Sequence, residues 1–443
     1  MNVQELLQQK TVALEEAVAL IESNDYIYTY GASGEPQTFL SGLAALRGKA
    51  ENVTIVNFLN SLPYDYYLDE SYRGVLYNES CFFGRFCKDG QIAGTTSYVP
   101  THLRHSFTGK EYYHSIRPAV RKVFVLSVTP MDKHGYFSTS TVGMSVRNMV
   151  KWADLVIVEV NENLPRTFGD TYIHITEADA VFQGNNKVIY LPGKAPDETD
   201  MAIGANIAEL IEDGSTLQLG IGGIPNAVAL SLKDKKDLGV HTEMLNDGLV
   251  QLYKAGVINN SRKTIYKDKM VTTFTFGSKE TYDFLDDNPG VLHIQTEDAN
   301  NPDIIAQNYK MVSVNTTLQV DLMGQCASEA VGTIQISGIG GQSETAVGAK
   351  ASPGGKSIIA LRSTAMVKNK NGERERRSTI VGVHPAGTII SLLRSDTDYV
   401  VTEYGVAPLR GASLAERAKL LIGIAHPDFR AELLDEARKY HLV

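Results

Sequence analysis

Short β-branched, apolar runs alternate with helix-length amphipathic stretches along the whole chain. Strands are predicted over 53–59 (VTIVNFL), 122–129 (KVFVLSVT), 153–161 (ADLVIVEVN), 186–192 (NKVIYLP) and 215–222 (STLQLGIG). Further strands are predicted over 271–277, 311–316, 356–363, 387–393 and 398–405. Most are nearly unbroken apolar runs, the pattern of strands covered on both faces. Helix-length segments such as ETDMAIGANIAELIEDG (198–214) lie between them. The alternation implies βαβ units and an α/β fold built on open, mostly parallel sheets.

Pro, Gly and acidic residues cluster in LPGKAPDETD (191–200), where Asp197 or Thr199 is placed to cap the following helix. Two α/β domains are therefore expected, residues 1–195 and 196–443. The crevice between them is the expected place for a site, because open α/β sheets bind ligands beyond strand C-terminal ends.

Composition narrows the function classes. With 42 basic and 51 acidic residues the net charge is −9, which argues against a nucleic-acid surface and leaves room only for a local basic patch. Cys81, Cys87 and Cys326 have no CxxC spacing, so neither a disulfide framework nor a zinc site is expected. The N-terminal stretch MNVQELLQQKTVALEEAVALIES reads as an amphipathic helix, without the apolar core of a signal peptide. A soluble cytoplasmic protein with no membrane span is the expectation.

Three glycine-rich turns are read directly after strands in the second half. GIGGIPNAV (220–228) places backbone N–H groups and a helix N-terminus together, which suits either an anionic ligand or a plain tight turn. It is not a dinucleotide fingerprint, since Pro225 stands at the third glycine position. SGIGGQSETAVGA (337–349) has more glycine than a bare turn requires. SPGGKS (352–357) ends like a P-loop, but Lys350 occupies the position of its first glycine. Lys356 is then either a phosphate-facing point charge or a solvated lysine. His102, His105 and His114 lack carboxylates at metal-ligand spacing, His134 reads as structural, and Arg166 in NLPRTFGD reads as paired to an acid. No GxSxG elbow supports a serine hydrolase.

Three polar groups sit where strands run out: Glu243 in HTEMLNDG, Asn315 in VSVNTTLQ and Glu403 in VVTEYGVA. Glu243 reads locally as a helix-capping charge, but Asn246 and Asp247 are better placed to cap the helix that follows. Glycine N–H surfaces with carboxylates and no metal or Ser/His pair suit a carboxylate nucleophile with backbone oxyanion stabilisation.

HTEMLNDG, GIGGIPNAV, NTTLQVDLMGQ, SGIGGQ, GGKS, VVTEYGVAPLRG and IAHPDFR together resemble the acetyl-CoA hydrolase/transferase branch of the family I coenzyme A transferases. GASGEP (31–36), TPMDKHGYFS and NLPRTFGD extend the likeness to the N-terminal half. The resemblance implies coenzyme A and acyl-CoA as substrates, small carboxylates as partners, no permanently bound cofactor, and a homodimer or tetramer. It places the catalytic glutamate at Glu243, with Asn315 hydrogen-bonding it and Glu403 supporting that network. Gly340 or Gly341 would hold the oxyanion, and Gly220, Gly222, Gly223, Gln342, Gly354, Gly355 and Lys356 match segments bordering CoA. Gly31 and Ser61 match the acyl pocket. Branches of this family handle acetate, butyrate, 4-hydroxybutyrate, succinate or itaconate. Relatives commonly carry an acid followed by Phe after GGQ, whereas Gln342-Ser343-Glu344-Thr345 stands here, so an altered acyl group is expected. An acyl-CoA hydrolase and a non-enzymatic acyl-CoA binding protein remain the alternatives at this point.

Overall fold

Tyr26–Tyr28 (β1), Val53–Phe58 (β2), Leu76–Phe82 (β3), Thr96–Tyr98 (β4), Lys122–Val128 (β5), Leu155–Val160 (β6) and Ala180–Gln183 (β7) form one sheet. Its order is β7-β6-β5-β1-β2-β3-β4, with every neighbouring pair parallel. The unbroken apolar runs have the predicted cause. In β5, Phe124, Leu126 and Val128 enter one core while Val123 and Val125 enter another, so both faces are covered.

The second sheet contains Thr216–Leu219 (β8), Gly239–Val240 (β9), Met311–Thr316 (β10), Lys356–Ala360 (β11), Tyr399–Thr402 (β12) and Gly405–Pro408 (β13). The order is β9-β8-β10-β11-β12-β13, parallel except for the terminal β12–β13 hairpin. Helices Glu198–Leu210 (α1), Gly223–Ser231 (α2), Asp247–Lys254 (α3) and Gln342–Ala351 (α4) accompany it. From β8 the chain goes to β9 on one side and later to β10 on the other. The C-terminal ends of β8, β9 and β10 therefore surround a topological switch point, the usual ligand position in an open α/β sheet.

The computed structural model describes residues 2–84, 86–117, 120–184, 186–191, 193, 195–368 and 371–443. These form two compact units: Met1–Leu191 with Val271–Ala299 and Ile336–Gly340, and Pro192–Met270 with Asn300–Gln335 and Gly341–Val443. Residues 271–299 and 336–340, which follow the boundary read at 195/196, thus join the first unit. Among the described residues no helix is long and apolar enough to cross a membrane.

Two predicted strands are absent. Residues 186–191 run without strand pairing, Pro192 lying outside the described residues, and 387–393 makes only an isolated bridge from Leu392 to Cys326. Ile389 and Leu393 are exposed, so the second run is apolar without being core. The N-terminal amphipathic stretch is two helices, Val3–Lys10 and Leu14–Ala19, because Val12 breaks the helix by donating its N–H to Val181 O at 2.9 Å. Asp197 caps α1 as read, its Oδ1 accepting from Asp200 N–H at 3.0 Å.

Candidate active site

Glu243 lies three residues past the end of β9. The ladder carries one residue beyond the strand, His241 N–H donating to Leu217 O at 3.0 Å, and then the chain turns. Asn246 takes the capping role: its Oδ1 accepts from Leu249 N–H at 3.1 Å, and its Nδ2 donates to Gly220 O at 2.8 Å. Glu243 is thereby released from helix capping. Asn246→Ala is expected to lower stability by about 1 kcal/mol for the lost cap, read by chemical denaturation.

Asn300 and Gly341 both donate to the Glu243 carboxylate. Asn300 Nδ2 donates to Oε2 at 2.9 Å, and the N–H of Gly341, the N-cap residue of α4, also donates to the carboxylate. Gly341 is glycine because of this approach. A Cβ there would overlap both Glu243 Oε2 and Asn300 Nδ2. Asn300 is fully buried and also donates to Glu344 Oε2 at 3.3 Å from the first turn of α4.

Burial raises the pKa of Glu243, and the hydrogen bonds from Asn300 and Gly341 oppose the shift without cancelling it. A carboxylate so placed is more basic than a solvated one, hence a stronger nucleophile once ionised. The N-terminus of α4 beside it favours the ionised form.

The remaining sequence-predicted residues divide into four groups. Gly220 and Gly222 lie in the turn between β8 and α2, Gly222 as its N-cap and Gly223 as its first residue. Gln342 opens α4 and donates from Nε2 to Thr316 O at 2.8 Å, tying that helix to the end of β10. These belong to the same edge of the sheet as Glu243.

Asn315 and Glu403 reach that edge but do not join Glu243. Asn315 Nδ2 donates to Thr345 Oγ1 at 3.0 Å and to Gln218 Oε1 at 3.3 Å. The amide that meets Glu243 is Asn300, which corrects the expectation from resemblance. Thr345 carries a hydroxyl and so supplies Asn315 with an acceptor. Both Glu403 oxygens are engaged by Ser363, from its Oγ at 2.6 Å and its N–H at 3.0 Å.

Gly354, Gly355 and Lys356 lie at the opposite edge of the sheet from Glu243. Lys356 is level with Val312 and Ala360 with Thr316, so Lys356 begins β11 about 13 Å of strand away from the switch-point edge. Its Nζ pairs with Glu212 at 2.9 Å, and Lys310 pairs with the same carboxylate at 2.6 Å. The two ammonium groups hold Glu212 down at about 2.

Three residues belong to the first unit. Gly31 is pressed against the Phe58 and Leu59 carbonyls, which a Cβ would overlap, so loop approach accounts for the glycine. Ser61 N–H donates to Glu35 Oε2 at 2.8 Å, and burial pushes that carboxyl up to about 7. Gly340 accepts from Leu103 N–H at 3.1 Å. Arg166 pairs with Asp132 at 2.7 Å, as read.

Sequence reasoning missed Asn300 and the contact of Glu344. A signal existed in DANNPD: Asn301 caps the helix that Pro302 opens, its Oδ1 accepting from Asp303 N–H at 3.0 Å, which leaves Asn300 without a capping task.

Residues 1–191 match the acetyl-CoA hydrolase/transferase N-terminal domain, and residues 277–437 match the C-terminal domain of the same family. The chain belongs to the acetyl-CoA hydrolase/transferase family. This family member is 40% identical over 439 residues to the 4-hydroxybutyrate coenzyme A transferase of Clostridium kluyveri, covering 99% of this chain and 100% of that one. It is 39% identical over 441 residues to a succinyl-CoA:cyclohexane-1-carboxylate CoA transferase of Geobacter metallireducens, covering 98% and 97%. The crystal structure of RipA from Yersinia pestis superposes with a TM-score of 0.89 at 35% identity, covering 100% of both chains.

Proposed function

We propose that this enzyme transfers coenzyme A between short-chain carboxylates by a ping-pong route through Glu243. The observation that carries the reading is a half-buried carboxylate at a switch-point edge, gripped by an amide and a helix-terminal N–H. The CoA-transferase names of its full-length relatives support the same reaction.

In the proposed sequence, ionised Glu243 attacks the thioester carbonyl of an acyl-CoA. The C–S bond breaks, CoA leaves as the thiolate, and an acyl-glutamyl anhydride remains. The thiolate then attacks Cδ of Glu243, expelling the acyl group as its free carboxylate and leaving a glutamyl-CoA thioester. An incoming carboxylate reverses both steps and departs as the new acyl-CoA. No water is consumed.

Asn300 and Gly341 suit the second step. Attack at Cδ places negative charge on a Glu243 oxygen, and these donors already face that carboxylate, so no reorganisation is needed as charge develops. Glu243 must be ionised to begin. Its pKa is raised by burial, so kcat/KM is expected to rise with pH through a value above the ordinary 4.5 of a glutamate, read from an initial-rate profile.

Thiol release separates transfer from hydrolysis. Butyryl-, 4-hydroxybutyryl-, succinyl- and itaconyl-CoA are each offered with and without acetate, while free thiol and new acetyl-CoA are followed. Acetyl-CoA formation without net thiol release is expected for at least one donor. Full-rate thiol release without acetate would establish a hydrolase instead. Borohydride treatment during turnover, followed by peptide mass mapping, is expected to mark Glu243.

A further inference from the structure

Asn300 is oriented by more than Glu243. Its Nδ2 faces two carboxylates, Glu243 at 2.9 Å and Glu344 at 3.3 Å, while its Oδ1 is buried without a hydrogen-bond partner. A buried orphan acceptor is unfavourable, so the amide is not in this pose to satisfy itself. Two acceptors on one side dictate the pose. An amide nitrogen has two protons to give and a carboxylate has none, so only the nitrogen can face both.

The two carboxylates are not equivalent. Glu243 is the nucleophile and loses its charge whenever it carries an acyl or CoA group, which weakens its hold on the amide. Glu344 is 5% exposed, sits in the first turn of α4 and takes no covalent part. The helix N-terminus favours its negative charge. It keeps an acceptor facing Asn300 in every covalent state of Glu243. The same helix presents Gly341 N–H to Glu243, so α4 acts on the nucleophile twice, once directly and once through Asn300.

We propose that Glu344 is a positioning residue that acts through Asn300, holding its amide nitrogen toward Glu243 throughout the exchange cycle. This rests on the CoA-transfer reading. It adds a residue that meets Asn300 from the first turn of α4. With an apolar side chain at 344, the amide can turn its oxygen toward Glu243, and the donor is lost for part of the time.

The test is a double-mutant cycle on butyryl-CoA:acetate exchange, with melting temperatures recorded for each variant. Asn300→Ala is expected to lower kcat about 100-fold. Glu344→Leu is expected to lower kcat about 10- to 100-fold with KM for butyryl-CoA within about 2-fold of wild type. Glu344→Gln keeps an acceptor for the amide and is expected to lose less than Glu344→Leu. In the Asn300→Ala background, Glu344→Leu is expected to cause no further loss, since its route to Glu243 is gone.

Full additivity of the two substitutions would overturn the proposal, as would wild-type kcat in Glu344→Leu. So would a loss confined to KM. Should Glu344→Leu not fold, Glu344→Asp decides in the same two backgrounds: the shorter acid must lose kcat with Asn300 present and nothing without it. Absence of exchange in the wild type would defeat the CoA-transfer reading itself, a different failure.

Discussion

Glu243→Gln is expected to abolish exchange, by about four orders of magnitude or more in kcat, while raising the melting temperature at pH 7. The loss follows from removing the atom that forms both covalent intermediates, an effect of the size seen when other nucleophiles are removed. The stability gain follows from linkage. Burial raises the Glu243 pKa, so between the unfolded and folded values the native protein holds a proton that the unfolded chain has released. Native stability therefore falls as pH rises through that window, and above it the ionised group costs stability in full. Gln has no charge to desolvate. The gain is expected to be complete above the raised pKa and to vanish as pH falls below the ordinary glutamate range. Retained exchange in Glu243→Gln or Glu243→Ala would be fatal to the assignment. An unchanged melting temperature at neutral pH would show that the carboxylate is solvated.

Gly341→Ala is expected to reduce kcat about 100-fold or more without a backbone cause. Gly341 has φ −102°, which any residue adopts, so alanine meets no conformational penalty there. It meets Glu243 Oε2 and Asn300 Nδ2 instead. One methyl group must push the nucleophile and its donor apart, and misplacement on the ångström scale costs about 100-fold in rate. Stability is expected to drop by about 1–3 kcal/mol from overpacking. Gly423→Ala is the control. It lies within the Leu414–Ile424 helix with open space where the methyl would go, so it is expected to leave exchange unchanged and to gain slightly in stability. Equal activity of Gly341→Ala and wild type would sink the close-approach reading.

The parallel sheets were legible because strands buried on both faces leave unbroken apolar runs, as in 122–129 and 311–316. Short strands were not. Tyr26–Tyr28 is central in its sheet, yet three residues carry too little pattern to stand out. Residues 387–393 failed in the opposite way, apolar in composition but partly exposed. Around the nucleophile, local chemistry carried the capping argument, since Asn246 does cap the helix after Glu243. Partner identity was beyond it. Asn300 and Asn315 are both amides, and only tertiary packing decides which one turns toward Glu243. Lys356 shows the same limit from another side: GGKS reads alike at either end of a strand, and register alone places it away from the switch point.

Residues 271–299 and 336–340 complete a unit whose other residues end at 191. Val291–His293 pairs in parallel with Phe168–Gly169, so that edge stays unfilled until the later segment is made. During synthesis the first unit cannot finish folding when its first 191 residues leave the ribosome. Its seven-stranded sheet lies within those residues, but the edge at Phe168–Gly169 waits for Val291–His293, and the last segment of the unit comes about 150 residues after 191. A fragment ending at 191 is therefore expected to be less stable than the same residues in the full chain, because of the interleaved chain order rather than a weak core.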